Sequence, residues 1–383
     1  MKKIYPFNFY LLYFGANACL MPYWVLYYQR LGFNGAQIGL LSAVAPLVTL
    51  AGAPFWTGVA DATHRHKLVM GATLMGSIGL VVLYPFVQSL ASVLVLTLLF
   101  CFMIAPASSF ADAATMTMLG DQKHLYGRVR VGGTIGWGVA GSIAGIAVEK
   151  YGLNLTFGLF AVLLFIGFLF SQQFTFDHVK HNVSITHGLR ELFSNQRLVL
   201  FLATAFVCGM AFMSINAYLS AYMAEYGIGE SVLGYALGIA TLAELPMLFY
   251  GDRLLVKLKP HGMLILSMIT TMVRLFLYAI FVTPAGILVF QLINGVTFAS
   301  LWVAGVSYVN EIAPPGLSAT AQGIFGATVF GFGSAVGGFL GAILLESVGG
   351  AAMYAFFGAL MLAATIAYLL LERQLSKGQH VKI

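Results

Sequence analysis

The sequence predicts an all-α membrane protein of twelve transmembrane helices in two pseudo-symmetric six-helix bundles. Three observations lead there. Of 383 residues, 60% are hydrophobic and 8% charged, against roughly 25% charged in a soluble domain, and mean hydropathy is +0.90. The apolar residues come in continuous runs rather than in alternation. In lipid, which offers the backbone no hydrogen bonds, that favours helices over a closed barrel. At about 20 residues per span, the chain holds twelve spans with short loops and no second soluble domain.

The first apolar run covers about 5–29. With Lys2 and Lys3 before it, it resembles the start of a signal peptide. No small-residue cleavage site closes it, however, and it continues through Trp24 and Tyr28, so it reads as a retained first span. Runs at about 37–59, 68–88, 91–118, 129–148 and 153–172 complete an N-terminal bundle over 1–172. The longest polar stretch, 173–197, reads as a linker. Runs at about 198–224, 231–251, 262–282, 286–309, 317–345 and 351–371 form a C-terminal bundle over 198–372, and 373–383 is a tail.

Orientation follows from Lys and Arg placement. Of the 19 such residues, only Arg30 and Lys150 fall on one side and Arg130 and Arg274 fall inside spans; the remainder share the other side. Both termini and the linker are therefore expected in the cytoplasm of a multi-pass inner (plasma) membrane protein. The net charge of +6 lies in loops and implies membrane sidedness rather than a nucleic-acid partner. Cys19, Cys101 and Cys208 sit in apolar runs without paired spacing, so neither a disulfide framework nor a metal site is expected. The eight His residues fall in loops or tails, which argues against an intramembrane enzyme. No nucleotide-binding glycine loop is present, and no cofactor is expected.

The two halves repeat weakly. The fifth span carries Gly132, Gly133, Gly136, Gly138, Gly141 and Gly145 and ends in Glu149 and Gly152. The eleventh carries Gly323, Gly326, Gly331, Gly333, Gly337, Gly338 and Gly341 and ends in Glu346 and Gly349. Small residues at this spacing let helices approach closely, and repeated halves rocking about a central site are how many transporters alternate access.

Four ionisable residues lie inside predicted spans: Asp112, Arg130, Glu244 and Arg274. Each costs roughly 2.5–3.5 kcal/mol at mid-membrane, so each is expected to face a partner or a cavity. Asn17, Asn216, Tyr218, Gln291 and Asn294 are the uncharged polar candidates for solute binding. Tyr5, Tyr10 and Tyr151, near span ends, read as interfacial anchors. Trp137, at mid-span, reads as a stacking surface for a ring.

After the second span come Gly58, Asp61, Arg65 and Lys67. This resembles the signature loop of the major facilitator superfamily, in which the acid holds one conformation; Gly251-Asp252-Arg253 is a degenerate echo. The stretch from Asp112 through Tyr126, Arg128 and Arg130 to Trp137 is similar to the fourth-to-fifth-span region of the lactose permease-like branch. That branch includes oligosaccharide–proton and nucleoside–proton symporters and the phenylpropionate permease. The resemblance implies that Asp112 and Arg130 bind solute hydroxyls and that Trp137 stacks on the ring. Glu244 and Arg274 resemble the branch's span-eight acid and span-nine arginine.

One departure matters. Where lactose permease carries a lysine, a histidine and a glutamate in span ten, this chain has Gln291, Asn294 and Thr297. Glu244 then becomes the leading proton carrier and Asp112 the second. The expected function is proton-coupled uptake of a small solute by a monomer in the bilayer, with sugar or nucleoside ahead of an aromatic acid. A uniporter and a non-transporting receptor or scaffold on the same fold remain as alternatives.

Overall fold

The computed structural model describes residues 3–176, 195–312 and 318–380; it is helical throughout, with no strand among the described residues. Its helices are α1 (Ile4–Arg30), α2 (Gly35–Thr63), α3 (His66–Phe86), α4 (Leu90–Lys123), α5 (Tyr126–Tyr151), α6 (Leu155–Ser171), α7 (Gln196–Glu225), α8 (Glu230–Ile280), α9 (Pro284–Ile312) and α10 (318–380). Among the described residues, nine stretches are long and apolar enough to cross a membrane, and α6, with 17 residues, falls just short of that length. The linker expected over 173–197 lies mostly outside the described residues, as do the last three residues of the tail.

Local chemistry explains where helices begin and end. Asn34 and Gln37 form a reciprocal capping box at the start of α2, with bonds of 2.9 and 3.0 Å. Such caps satisfy amides that the first turn leaves unpaired. Ser89 caps α4, and Thr283 caps α9 ahead of Pro284. Helix α8 has 51 residues, about 75 Å at 1.5 Å per residue, far beyond a hydrocarbon core of about 30 Å. It is broken at Lys259, whose φ of 57° and ψ of 170° leave the helical region just before Pro260. Helix α10 breaks at Gly349, with φ 81° and ψ 165°. The glycine ending α5, Gly152, has almost the same backbone, φ 90° and ψ 164°. The two Glu-x-x-Gly segments read as a repeat in the sequence thus make the same left-handed turn, which only glycine adopts without strain.

The chain divides into two compact units: Met1–Lys180 with Ala217–Thr241, and His181–Asn216 with Leu242–Ile383. In the first, α1 packs along α5 and α6. A Cβ on Gly132 would lie 2.5 Å from the carbonyl oxygen of Phe7, and one on Gly136 would overlap that of Leu11. In the second, Cβ atoms on Gly333 and Gly337 would lie 2.7 and 2.5 Å from the carbonyl oxygens of Phe206 and Met210. Each unit thus seats two glycines four residues apart on two backbone carbonyls four residues apart. A π-helical stretch, Ala327–Gly333, precedes the second contact.

The first unit also holds the segment 217–241 against α5. Gly138, Gly141 and Gly145 face Thr241, Leu237 and Gly234 in turn. Ser142 Oγ lies 3.1 Å from the Gly234 carbonyl oxygen, Glu149 accepts the Ser231 amide at 2.7 Å, and Arg30 pairs with Glu230 at 2.8 Å.

Candidate functional site

In the first unit, α4 supplies Asp112 and Thr115, and α5 supplies Tyr126 and Arg130. The spacings i, i+3 and i, i+4 put each pair on one helix face. Asp112 Oδ1 accepts three hydrogen bonds: from Tyr10 at 2.6 Å, from Tyr126 at 2.9 Å and from Arg130 at 2.6 Å. Arg130 Nη1 also donates to the Tyr126 hydroxyl at 2.8 Å, and the Thr115 hydroxyl stands 3.2 Å from that of Tyr10. The guanidinium lies 5.6 and 5.7 Å from the ring centres of Tyr10 and Phe14, within cation–π range.

The Asp112 and Arg130 side chains keep 37% and 39% exposure, so the pair is tied together yet open on one side. The other guanidinium nitrogens have no hydrogen-bond partner among the described residues and can donate to a ligand. Tyr10 corrects the sequence reading. It is not an interfacial anchor but a fully buried member of this cluster. Tyr151 is 69% exposed.

In the second unit, Arg274 is 3% exposed and its direct partners among the described residues are all neutral. It donates to Asn294 Oδ1 at 2.6 Å, to Gln291 Oε1 at 2.6 Å and to the Tyr278 hydroxyl at 3.2 and 3.3 Å. Glu244 does not touch Arg274. Asn294 stands between them, donating its amide to Glu244 Oε1 at 2.9 Å. A buried cation survives only if its donors are occupied, and two side-chain amides and a phenol do that here. Of the three span-ten residues singled out in the sequence, Gln291 and Asn294 are therefore ligands of Arg274, whereas the Thr297 hydroxyl donates to the Asn294 carbonyl.

Arg274, Ser267, Thr271, Thr297, Asn216 and Phe298 line a small cleft. Phe298 and Trp302 follow Asn294 at one-turn steps on α9. The Phe298 ring stacks on Phe212 at 4.8 Å, and Trp302 packs 5.5 Å from both Phe325 and Phe330 while keeping 39% exposure. Sequence reasoning missed this aromatic face, although the step of four from Asn294 to Phe298 to Trp302 carried the signal.

The remaining candidates lie apart. Asn17 and Asn216 each spend the side-chain amide on their own helix, donating to the carbonyls of Tyr13 and Phe212. Tyr218 is fully buried. Trp137 is half-buried, two turns beyond Arg130, with no ring contact among the described residues. In the signature loop, Asp61 is 70% exposed and pairs with His66 at 2.6 Å. His64 takes the left-handed turn, φ 56°, and Gly58, Arg65 and Lys67 are exposed. Among the described residues no three His, Cys, Asp or Glu side chains gather as a metal site.

The model of the family described as the MFS_1 like family matches residues 7–356. The chain is 25% identical over 363 residues to YwbF, an uncharacterized transporter of Bacillus subtilis (strain 168), covering 93% of this chain and 90% of that one. It is 23% identical over 375 residues to the maltose permease of Geobacillus stearothermophilus, covering 97% and 95%. The crystal structure of the nucleoside transporter NupG superposes with a TM-score of 0.83 at 18% identity, over 96% of this chain and 97% of that one, and so shares its fold.

Proposed function

The chain belongs to the MFS_1 like family, and from that premise we propose that it is a proton-coupled importer of a small ring-bearing polyol, a sugar or nucleoside, working by alternating access. Its relatives are transporters rather than enzymes, and one is a maltose permease. The breaks in α8 at Lys259 and α10 at Gly349 support dividing the described helices into the twelve spans proposed, six on each side of the 173–197 linker. The Lys and Arg distribution supports cytoplasmic termini, and the inner membrane is the membrane proposed for it. A monomer suffices for this scheme.

The observation that carries the reading is the amide of Asn294 held between Glu244 and Arg274. With Glu244 ionised, Asn294 is pinned by a carboxylate on one side and a guanidinium on the other. A proton on Glu244 removes the charge that orients the amide and frees Asn294, and with it one donor of Arg274, to turn to a solute, while Gln291 and Tyr278 keep hold of the guanidinium. Asp112 and Arg130 offer charge-assisted hydrogen bonds to solute hydroxyls, with Trp137 as a ring surface in the first unit; Trp302 is a separate ring surface in the second. The gate residues Gly58, Asp61, Arg65 and Lys67 hold one conformation at the cytoplasmic side, and Asn17 and Asn216 serve as further solute ligands once their amides leave the Tyr13 and Phe212 carbonyls.

The test separates coupling from binding. In proteoliposomes, wild type accumulates solute when a proton gradient is imposed. Glu244→Gln abolishes accumulation but retains counterflow. Unimpaired accumulation by the variant removes Glu244 from coupling, and a broad solute panel giving neither accumulation nor counterflow removes transport itself. A second reading, an aromatic carboxylate as solute, is favoured by one observation: Arg274 has only neutral direct partners and so has charge to spare for an anion.

A further inference from the structure

An open groove of about 380 Å³ runs along α8 beside α9 in the second unit. Its closed end is set by a helix contact: a Cβ on Gly295 would overlap the Ala243 backbone. From there the groove passes Pro246 and Met247, with Val296 on the α9 side, and reaches Arg253 and Lys257 after about three turns. The wall is apolar for most of its length. The mouth is not.

Arg253 and Lys257 are both exposed and sit four residues apart on one helix face. Like charges at that spacing repel, and neither has an acidic partner among the described residues. The Arg253 guanidinium lies 5.5 Å from the Tyr250 ring centre, which holds it at the groove rather than free in solvent. Just beyond, the helix breaks at Lys259, where the chain leaves the span.

We propose that this groove binds one anionic phospholipid, an acyl chain lying against Pro246, Met247 and Val296 and the phosphate between Arg253 and Lys257. Charge complementarity selects the headgroup, and the apolar wall selects a lipid over a free anion. Basic pockets between spans at the cytoplasmic side bind such headgroups in this way. The site rests on α8 crossing the bilayer with its Lys259 end at headgroup depth.

The full-length protein, delipidated in detergent, is given equal amounts of phosphatidylglycerol and phosphatidylcholine of the same acyl chains, and bound lipid is counted by native mass spectrometry. Wild type retains one phosphatidylglycerol in preference. At about 1 kcal/mol per basic residue, or roughly fivefold each, the R253Q/K257Q variant loses that preference by about 25-fold while its melting temperature holds. Val296→Phe, which narrows the groove and leaves the charges, also lowers retention. Equal retention of the two lipids, an unchanged double variant, or displacement by inorganic phosphate overturns the lipid site. A spin label at Val256, which is 83% exposed, reports depth in vesicles. A label in bulk water overturns the membrane placement as well, whereas headgroup depth with no lipid preference overturns the site alone.

Discussion

Gly145 gives the sharpest test of how α5 holds the segment 217–241. An alanine Cβ there would lie 2.6 Å from the Gly234 Cα, the Gly234 nitrogen and the Glu230 carbonyl oxygen. All three are backbone atoms, so no side-chain rotation relieves the overlap, and the helices must separate by about 1 Å to restore ordinary contact. Overpacking of this kind costs about 1–3 kcal/mol, a factor of roughly 5 to 150 in the closed-to-parted equilibrium. The same separation lengthens the Glu149–Ser231 bond and the Ser142–Gly234 contact. Spin labels at Tyr151 and Tyr226, both exposed and both in the first unit, read the distance by double electron–electron resonance. Wild type gives one dominant short distance; Gly145→Ala moves population to a longer one and slows transport. An unchanged distribution with unchanged transport would falsify the idea that this contact is a clasp that must part.

Further outcomes follow from the two polar clusters and the α8 break. Asp112→Asn leaves the Arg130 guanidinium without its carboxylate; at this half-exposed site the loss is about 1–3 kcal/mol in thermal unfolding. The D112N/R130Q double variant recovers most of that stability but no solute binding; recovery of binding would refute the assignment. Asn294→Leu removes one of two amide acceptors from buried Arg274 and lowers stability by at least about 2 kcal/mol; an unchanged melting temperature refutes the bridge. Trp302→Ala weakens a stack worth about 1 kcal/mol, so half-saturation in counterflow rises roughly fivefold, with no effect if the ring binds elsewhere. Lys259→Gly relieves a backbone region that costs about 1–3 kcal/mol in a residue bearing a side chain and should raise thermal stability. A lower stability would refute the strain at that turn.

The spans were legible because apolar surface has nowhere to go in water, and that constraint needs no partner to be known. Charged residues inside spans were legible for a related reason: each must find a partner, and Asp112 with Arg130 did. The partnership of Glu244 with Arg274 was not, because it runs through Asn294, 20 residues from Arg274 and 50 from Glu244, and periodicity does not reach that far. Tyr10 was misread because hydropathy places a tyrosine near a span end at the interface, whether its hydroxyl meets water or a buried carboxylate. Phe298 and Trp302 were lost among 31 Phe and four Trp. Their contacts are what single them out.

The neutral cage around Arg274 also has an electrical meaning. Amides and a phenol satisfy its hydrogen bonds without cancelling its charge, so the charge of the Glu244–Arg274 group changes with one proton. With Glu244 ionised the group is neutral; with Glu244 protonated it carries one net positive charge. A charge moved across the full membrane is worth about 2.3 kcal/mol per 100 mV, and part of that applies to any step that shifts the group through the field. On the proposed coupling, an inside-negative potential speeds the loaded, protonated step and leaves the empty return nearly indifferent. On that coupling, the proton taken up by Glu244 beside a caged, permanently charged Arg274 is what makes the inward step respond to voltage.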